Sequence, residues 1–176
     1  NDLFDILKRA ENIITIGIGG SYEGPKMFLE NIHGNHVDKN LIFITGSDLS
    51  EFAIKTNNLN PKNTVFIISS KSFKTTETLT LLKKAISWSG YLKNFIAITA
   101  NKLEAKKYNI ECILEFDQQV GGRYSIWSEI SVLMSWLNKN NFDSFMAGGK
   151  QADIHLKNDD AYLRFLKNLV YSDIWL

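Results

Sequence analysis

Cysteine is almost missing from this chain: Cys112 is the one thiol among 176 residues. It cannot form an intramolecular disulfide, which excludes a disulfide scaffold and leads to the expectation of a reducing, cytoplasmic compartment. Three scattered histidines and that thiol supply no zinc-ligand spacing. An excess of charge is missing too, since 20 Lys and Arg face 19 Asp and Glu for a net charge of +1. The chain as a whole therefore carries no electrostatic footprint for nucleic acid or a membrane surface. No apolar run approaches the ~20 residues that span a bilayer, and Asn1-Asp2-Leu3-Phe4-Asp5 has acids where a signal peptide has bases. There is no initiator Met, and Ile174-Trp175-Leu176 ends in mid apolar pattern without a Gly, Pro or polar stop. The expectation is a segment of something longer.

What is present is a globular composition. Hydrophobic residues make up 44% and charged residues 22%, which excludes disordered, collagen-like and coiled-coil classes. Against a prior of roughly 150 residues per domain, the length implies one compact domain, residues 1–176. Asn12–Ile18, Leu41–Ile44, Val65–Ile68, Asn94–Ile98 and the weaker Ile113–Phe116 read as buried strands. Helices are expected from Lys26, with Pro25 near its first position, and over Ser50–Ile54, Thr75–Trp88 and Lys102–Tyr108. Strand, polar turn and helix in repeated order specify an α/β fold: a doubly wound, mainly parallel five-stranded sheet with helices on both faces. Ligands of such sheets sit outside the carboxyl ends of the strands, so the loops at 17–25, 45–50, 69–76 and 117–125 are expected to converge on one crevice. Beyond Ser125, Ile126, Ile130, Leu133 and Leu137 mark an amphipathic helix, and Ala161–Trp175 a second. Between them Asn138–Phe145 is Asn-rich and Gly148-Gly149 reads as a break, so the last third is expected to form helices packed on the sheet.

Three loops have the residue types that carry chemistry. Gly17-Ile18-Gly19-Gly20-Ser21 lies where a dinucleotide fold has its glycine turn, and such glycines let backbone N–H groups approach an anion. It lacks the third glycine of GxGxxG, and no Gly-Lys-Ser/Thr follows, which argues against a nucleotide. The alternative is that the glycines serve only a tight strand-to-helix turn. Ser69-Ser70-Lys71-Ser72-Phe73-Lys74-Thr75-Thr76-Glu77-Thr78 places hydroxyls, two lysines and a helix start together, the makings of a phosphate site; a cluster of helix caps is the alternative. Glu77 is unusual in an anion loop and suggests bonds to sugar hydroxyls or to a basic neighbour. In Val120-Gly121-Gly122-Arg123-Tyr124-Ser125, the guanidinium of Arg123 can fork onto a phosphate or a developing oxyanion, or simply pair with Asp117. His33 and His36 read as solvated, His155 lacks a third metal ligand at helical spacing, and Trp88, Trp127, Trp136 and Trp175 read as core or interface.

Together these loops resemble the glucose-6-phosphate isomerase family. Gly17-Ile18-Gly19-Gly20-Ser21 with Gly24-Pro25 is similar to its first signature, and Ser70 to Thr78 to its Ser-Lys-Thr-Phe-Thr-Thr-Gln-Glu-Thr loop. Val120 to Ser128 is similar to its Val-Gly-Gly-Arg-Tyr-Ser-Leu-Trp-Ser stretch. The resemblance implies the sugar-isomerase fold, a homodimer, and interconversion of glucose 6-phosphate and fructose 6-phosphate without metal or cofactor. By motif, Ser21, Ser70, Ser72 and Thr75 would hold the phosphate through hydroxyls, Gly20 and Lys71 through backbone groups. Arg123 would stabilise the enediolate, and Glu77 would stand beside the sugar. Ser at 72, Lys at 74, Thr at 76 and Asp117-Gln118-Gln119 depart from the pattern. The family's proton-abstracting Glu, its ring-opening His and a C-terminal Lys have no counterpart here. The chain thus resembles the first domain of a two-domain isomerase, or else a non-catalytic phosphosugar-binding domain; a dinucleotide-binding domain is a weaker third reading.

Overall fold

The computed structural model describes residues 2–31 and 39–175. Two compact units make up the chain, Asn1–Leu137 and Asn138–Leu176. In the first, five strands form one sheet in the order β2-β1-β3-β4-β5: β1 (Asn12–Ile16), β2 (Asn40–Ile44), β3 (Thr64–Ser69), β4 (Phe95–Thr99) and β5 (Cys112–Glu115). Every neighbouring pair is parallel, as continuous β-branched runs flanked by helices require. The helices are α1 (Asp2–Arg9), α2 (Glu23–Asn31), α3 (Leu49–Thr56), α4 (Thr76–Ser89), α5 (Lys102–Lys106) and α6 (Val132–Leu137). Helix α2 begins at Glu23, three residues before the expected Lys26, so Pro25 is its third residue. A proline is still tolerated there, because the first-turn N–H groups have no intrahelical acceptor to lose.

The chain leaves β1 toward β2 and returns past β1 to β3, and right-handed crossovers then place α2 and α3 on opposite faces. Alternation along the strands sends Ile14, Ile16, Phe66, Ile68, Phe95 and Ala97 to one face, where Phe52 of α3, Leu81, Leu82 and Ala85 of α4 and Ala105 of α5 close a buried core. Phe66 stacks on Phe95 with centroids 4.9 Å apart, and Trp88 stands edge-on to Phe66 at 5.9 Å. The other face carries the buried Ile13, Val65, Ile67, Ile96 and Ile98, and there α2 and α6 pack against each other.

Strand β2 is an edge. Asn40 N–H donates to Glu11 O at 2.9 Å and Ile44 O accepts from Gly17 N at 3.4 Å. The peptide groups of the even residues therefore face β1, and those of Leu41 and Phe43 face outward. Lys55 of α3 places its ammonium on that outward carbonyl, Phe43 O, at 2.6 Å, and pairs with Glu51 at the same distance.

From Gly122 to Ser131 the backbone winds as two 3₁₀ segments, Gly122–Trp127 and Glu129–Ser131, before α6. This differs from the amphipathic α-helix that the apolar spacing suggests, and serines explain it. Ser125 Oγ donates to Gly122 O at 2.7 Å, Ser128 Oγ to Ser125 O at 2.6 Å and Ser131 Oγ to Ser128 O at 2.8 Å. Each hydroxyl takes the carbonyl three residues back, the repeat of a 3₁₀-helix.

The second unit consists of α7 (Lys139–Asn158) and α8 (Asp160–Trp175), which pack on each other. Helix α7 passes through Gly148-Gly149 without interruption, so the glycine pair is no break. Each glycine costs a helix about 1 kcal/mol, and the cooperativity of a long helix absorbs it. The Asn-rich stretch opens this helix instead of forming a loop: Asn138 Oδ1 accepts from Asn141 N at 3.3 Å. Asp159 starts α8 in the same way, accepting from Ala161 N at 2.8 Å and Tyr162 N at 3.0 Å.

Candidate functional site

The reversal of chain direction at β1 and β3 opens a crevice at their carboxyl ends, because the connections from the two strands leave on opposite faces. A cleft of about 650 Å³ occupies it, lined among others by Gly20, Ser21, Ser70, Lys71, Ser72 and Thr75. The loop after β1 reaches it through Gly19, whose φ of +57° is left-handed. Gly20 meets a harder constraint: a Cβ there would stand 1.6 Å from Gly122 O. The first loop and the Gly-Gly-Arg turn thus cross backbone on backbone, a close approach that only glycine allows.

The loop after β3 is held to β4. Ser70 N–H donates to Ile98 O at 3.1 Å, while Lys71 O accepts from Ala100 N at 3.0 Å and Thr99 Oγ1 at 3.1 Å. At Phe73 the backbone turns left-handed, with φ +52°. This strained turn is pinned by a ring that is 1% exposed, packed in the core and edge-on to Tyr108 at 5.9 Å. The turn aims Phe73 N–H at Ser70 Oγ, 3.2 Å away, and Ser70 Oγ lies 3.2 Å from Thr75 Oγ1. Thr75 is the N-cap of α4, yet its hydroxyl makes no capping bond. The first amides of α4 have no intrahelical acceptor, so the hydroxyls in this loop are not spent as caps on α4. Ser72 Oγ turns inward on its own loop and accepts from Lys74 N at 3.1 Å.

Of the two lysines, Lys74 reaches toward α5, with Nζ 3.6 Å from Glu104 Oε1. The Lys107 ammonium donates to that same oxygen at 2.8 Å. This bond outweighs burial and, with the attraction of Lys107 and Lys74, holds the Glu104 carboxyl below its ordinary value of 4.5. Glu77 lies exposed on the first turn of α4 and does not line the cleft, though its neighbour Thr78 does. Arg123 is exposed at the rim, between the lining residues Gly122 and Ser125. Among the described residues it has no ion-pair partner; Asp117 instead accepts from Gln119 N at 2.7 Å.

Some lining residues are not among the phosphate-binding candidates, although Gln118 and Ser125 belong to the loop 117–125 expected in the crevice. Gln118 Nε2 donates to Ala100 O at 3.3 Å, and Asn101, the N-cap of α5, accepts from Glu104 N at 3.3 Å. Both line the cleft, as does Ser125. The loop after β4 therefore contributes, whereas the loop after β2, expected in the crevice, does not. Strand order is the reason: β2 lies beyond β1, away from β3 and β4, and Asp48 there caps α3 through Ser50 N at 2.7 Å.

Among the described residues, no Asp, Glu or His lines the cleft and no cluster of three potential metal ligands exists. His33 and His36 lie outside the described residues. His155 contacts Gln151 at 3.0 Å and the ring of Tyr162. Cys112 is half-buried on β5. Trp88 packs on the core and Trp136 is half-buried, but Trp127 is 43% exposed beside the arginine turn. Chemically, the lining offers O–H and N–H donors and the charge of Lys71, with no carboxylate to oppose an oxyanion.

Comparison with known proteins bears on the family and the fold. Glucose-6-phosphate isomerase 1 of Colwellia psychrerythraea is 34% identical over 96% of this chain and 33% of its own length. The glucose-6-phosphate isomerase of Blochmanniella floridana is 36% identical over 96% of this chain and 34% of its own length. The crystal structure of a glucose-6-phosphate isomerase from Chlamydia trachomatis superposes with a TM-score of 0.77 at 24% identity, covering 91% of this chain and 33% of that one. The chain thus spans about a third of the length of the curated relatives it matches. The family model for phosphoglucose isomerase matches residues 5–169, and the chain belongs to the phosphoglucose isomerase family.

Proposed function

We propose that the cleft holds the phosphate of a sugar phosphate and that this chain is the phosphate-binding part of a glucose-6-phosphate isomerase. The observation that carries the reading is the Ser70–Thr75 hydroxyl pair, 3.2 Å apart, beside the uncapped start of α4. Two hydroxyls bonded to each other keep one O–H free to donate outward, and the α4 amides and dipole add to it. Ser21 and Ser72, with backbone groups of Gly20 and Lys71, complete the set that the family motif assigns. Arg123, at the rim and without an ion pair among the described residues, suits the enediolate formed as a proton moves between adjacent sugar carbons. Glu77 stands outside the lining, where it can orient the sugar rather than the phosphate.

Isomerisation also needs a base placed against the carbon-bound proton. No acid or imidazole lines this cleft among the described residues, which favours, for the chain by itself, binding of sugar phosphate with little or no turnover. Calorimetric titration with glucose 6-phosphate, inorganic phosphate and glucose tests both points. Glucose 6-phosphate and phosphate should bind and glucose should not. Ser70→Ala/Thr75→Ala should weaken phosphate binding by about tenfold or more, the worth of a hydrogen bond to a charged group. Unchanged affinity in that variant would refute the assignment. Turnover by the 176-residue chain near that of a complete isomerase would show that a residue present here, foremost Glu77, is the base.

A further inference from the structure

We infer that Ser125 and Gly20 are positioning residues for Arg123: between them they clamp the Gly122 carbonyl and so fix the turn from which the guanidinium projects. The inference rests on the reading of Arg123 as the group that meets developing negative charge. Three observations carry it. Ser125 Oγ donates to Gly122 O at 2.7 Å, and Ser125 is 3% exposed, so the donor end of the bond is held in the interior. On its other side the same carbonyl rests on Gly20, with 1.6 Å to an added Cβ; that Cβ would also stand 2.9 Å from Ser125 Oγ. Below the clamp, the hydroxyls of Ser128 and Ser131 continue the same repeat, and Ser131 is 2% exposed.

Arg123 is one residue from Gly122 and has no ion pair among the described residues to hold it. Its placement therefore depends on its backbone. The Tyr124 N–H to Gly121 O bond at 2.9 Å closes the turn but does not tie it to the rest of the cleft. The Gly122 carbonyl does so by its contact with Gly20 of the first loop, and Ser125 braces that carbonyl from within its own turn. The loop after β3 is anchored separately, by Phe73 and by its bonds to β4. Loosening the clamp should therefore move the arginine and leave the phosphate loop in place.

Ser125→Ala removes the hydroxyl with little change of volume, and Ser125→Thr restores it; Gly20→Ala drives a methyl group into the clamp but risks the fold. Two probes separate the two parts of the cleft. Inorganic phosphate reports the hydroxyl loop, and an aldonic acid 6-phosphate adds a C1 carboxylate that imitates enediolate charge. In Ser125→Ala, affinity for the aldonate phosphate should fall about tenfold more than affinity for phosphate, the scale of one charge-assisted hydrogen bond, and Ser125→Thr should recover it. Hydrogen exchange of the Tyr124 and Ser128 amides should quicken in Ser125→Ala while that of Phe73 and Leu79 stays as in the parent. Equal losses for both probes, or exchange that quickens in both loops alike, would show a merely structural serine and overturn the inference. So would unchanged exchange at Tyr124. If the parent chain binds neither probe, the phosphate reading falls, and the exchange measurement still decides whether the clamp exists.

Discussion

Replacing Phe73 by alanine and, in a second variant, by glycine separates two roles that the one residue combines. Its ring is 1% exposed within the core, and truncating such a ring costs about 3–5 kcal/mol through lost burial and the cavity left behind. Its φ of +52° costs any residue with a Cβ about 1–2 kcal/mol relative to glycine. Alanine empties the core site and keeps the backbone strain. Glycine empties it and relieves the strain, but gives back about 0.5–1 kcal/mol in freedom of the unfolded chain. Phe73→Ala should thus be about 3–5 kcal/mol less stable than the parent, within a typical stability of about 5–15 kcal/mol, and the net relief in Phe73→Gly is about 0–1.5 kcal/mol. Phe73→Gly should match or exceed Phe73→Ala, the reverse of the ordinary order. Urea unfolding followed by tryptophan fluorescence reads this, since Trp88 lies edge-on to Phe66 in the same core. Both should also bind phosphate more weakly, because Phe73 N–H no longer fixes the Ser70 hydroxyl. A glycine variant about 1 kcal/mol or more below the alanine variant would refute the reasoning that the left-handed turn is strained.

The Glu104 carboxyl, held below its ordinary 4.5 by Lys107, should stabilise the fold above that pH and lose its contribution as pH falls through the lowered value. Urea midpoints of Glu104→Gln should lie below the parent's at neutral pH and converge with them in acid; a constant gap would refute the ionic origin. Glycines of opposite duty should respond oppositely to alanine. Gly90 ends α4 with φ +68°, and Gly90→Ala should cost about 1 kcal/mol, whereas Gly148, helical within α7, should gain about as much. Thermal melts of the two variants would show shifts of opposite sign.

How far the sequence foretells this molecule depends on which force decides each part. Strands such as Val65–Ile68 are plain because a strand buried on both faces has to be apolar at every position. The three loops stand out because they gather glycines and hydroxyls at strand ends, though a tight turn or a helix cap uses the same residues. Strand order is not written in any local pattern, so nothing in Gly46-Ser47-Asp48 reveals that its loop falls outside the cleft, nor in Ala100-Asn101 that it falls inside. At 122–131 two periods compete. Ile126, Ile130 and Leu133 carry the α-helical one, Ser125, Ser128 and Ser131 the threefold one, and local hydroxyl bonds prevail over apolar spacing. Gly20 follows the motif, but the pressure that demands glycine there comes from Gly122, about a hundred positions away in the chain.

The lysine on the outer rim of β2 bears on how this protein meets other copies of itself in a crowded solution. An open sheet margin presents a row of vacant peptide groups that a foreign strand can zip onto, a first step toward aggregation. Here the outward carbonyl of Phe43 is already taken by the Lys55 ammonium, itself tethered by Glu51. An arriving strand would have to evict a charge before it could bond at Phe43 O, so a single side chain hinders growth of the sheet from this side.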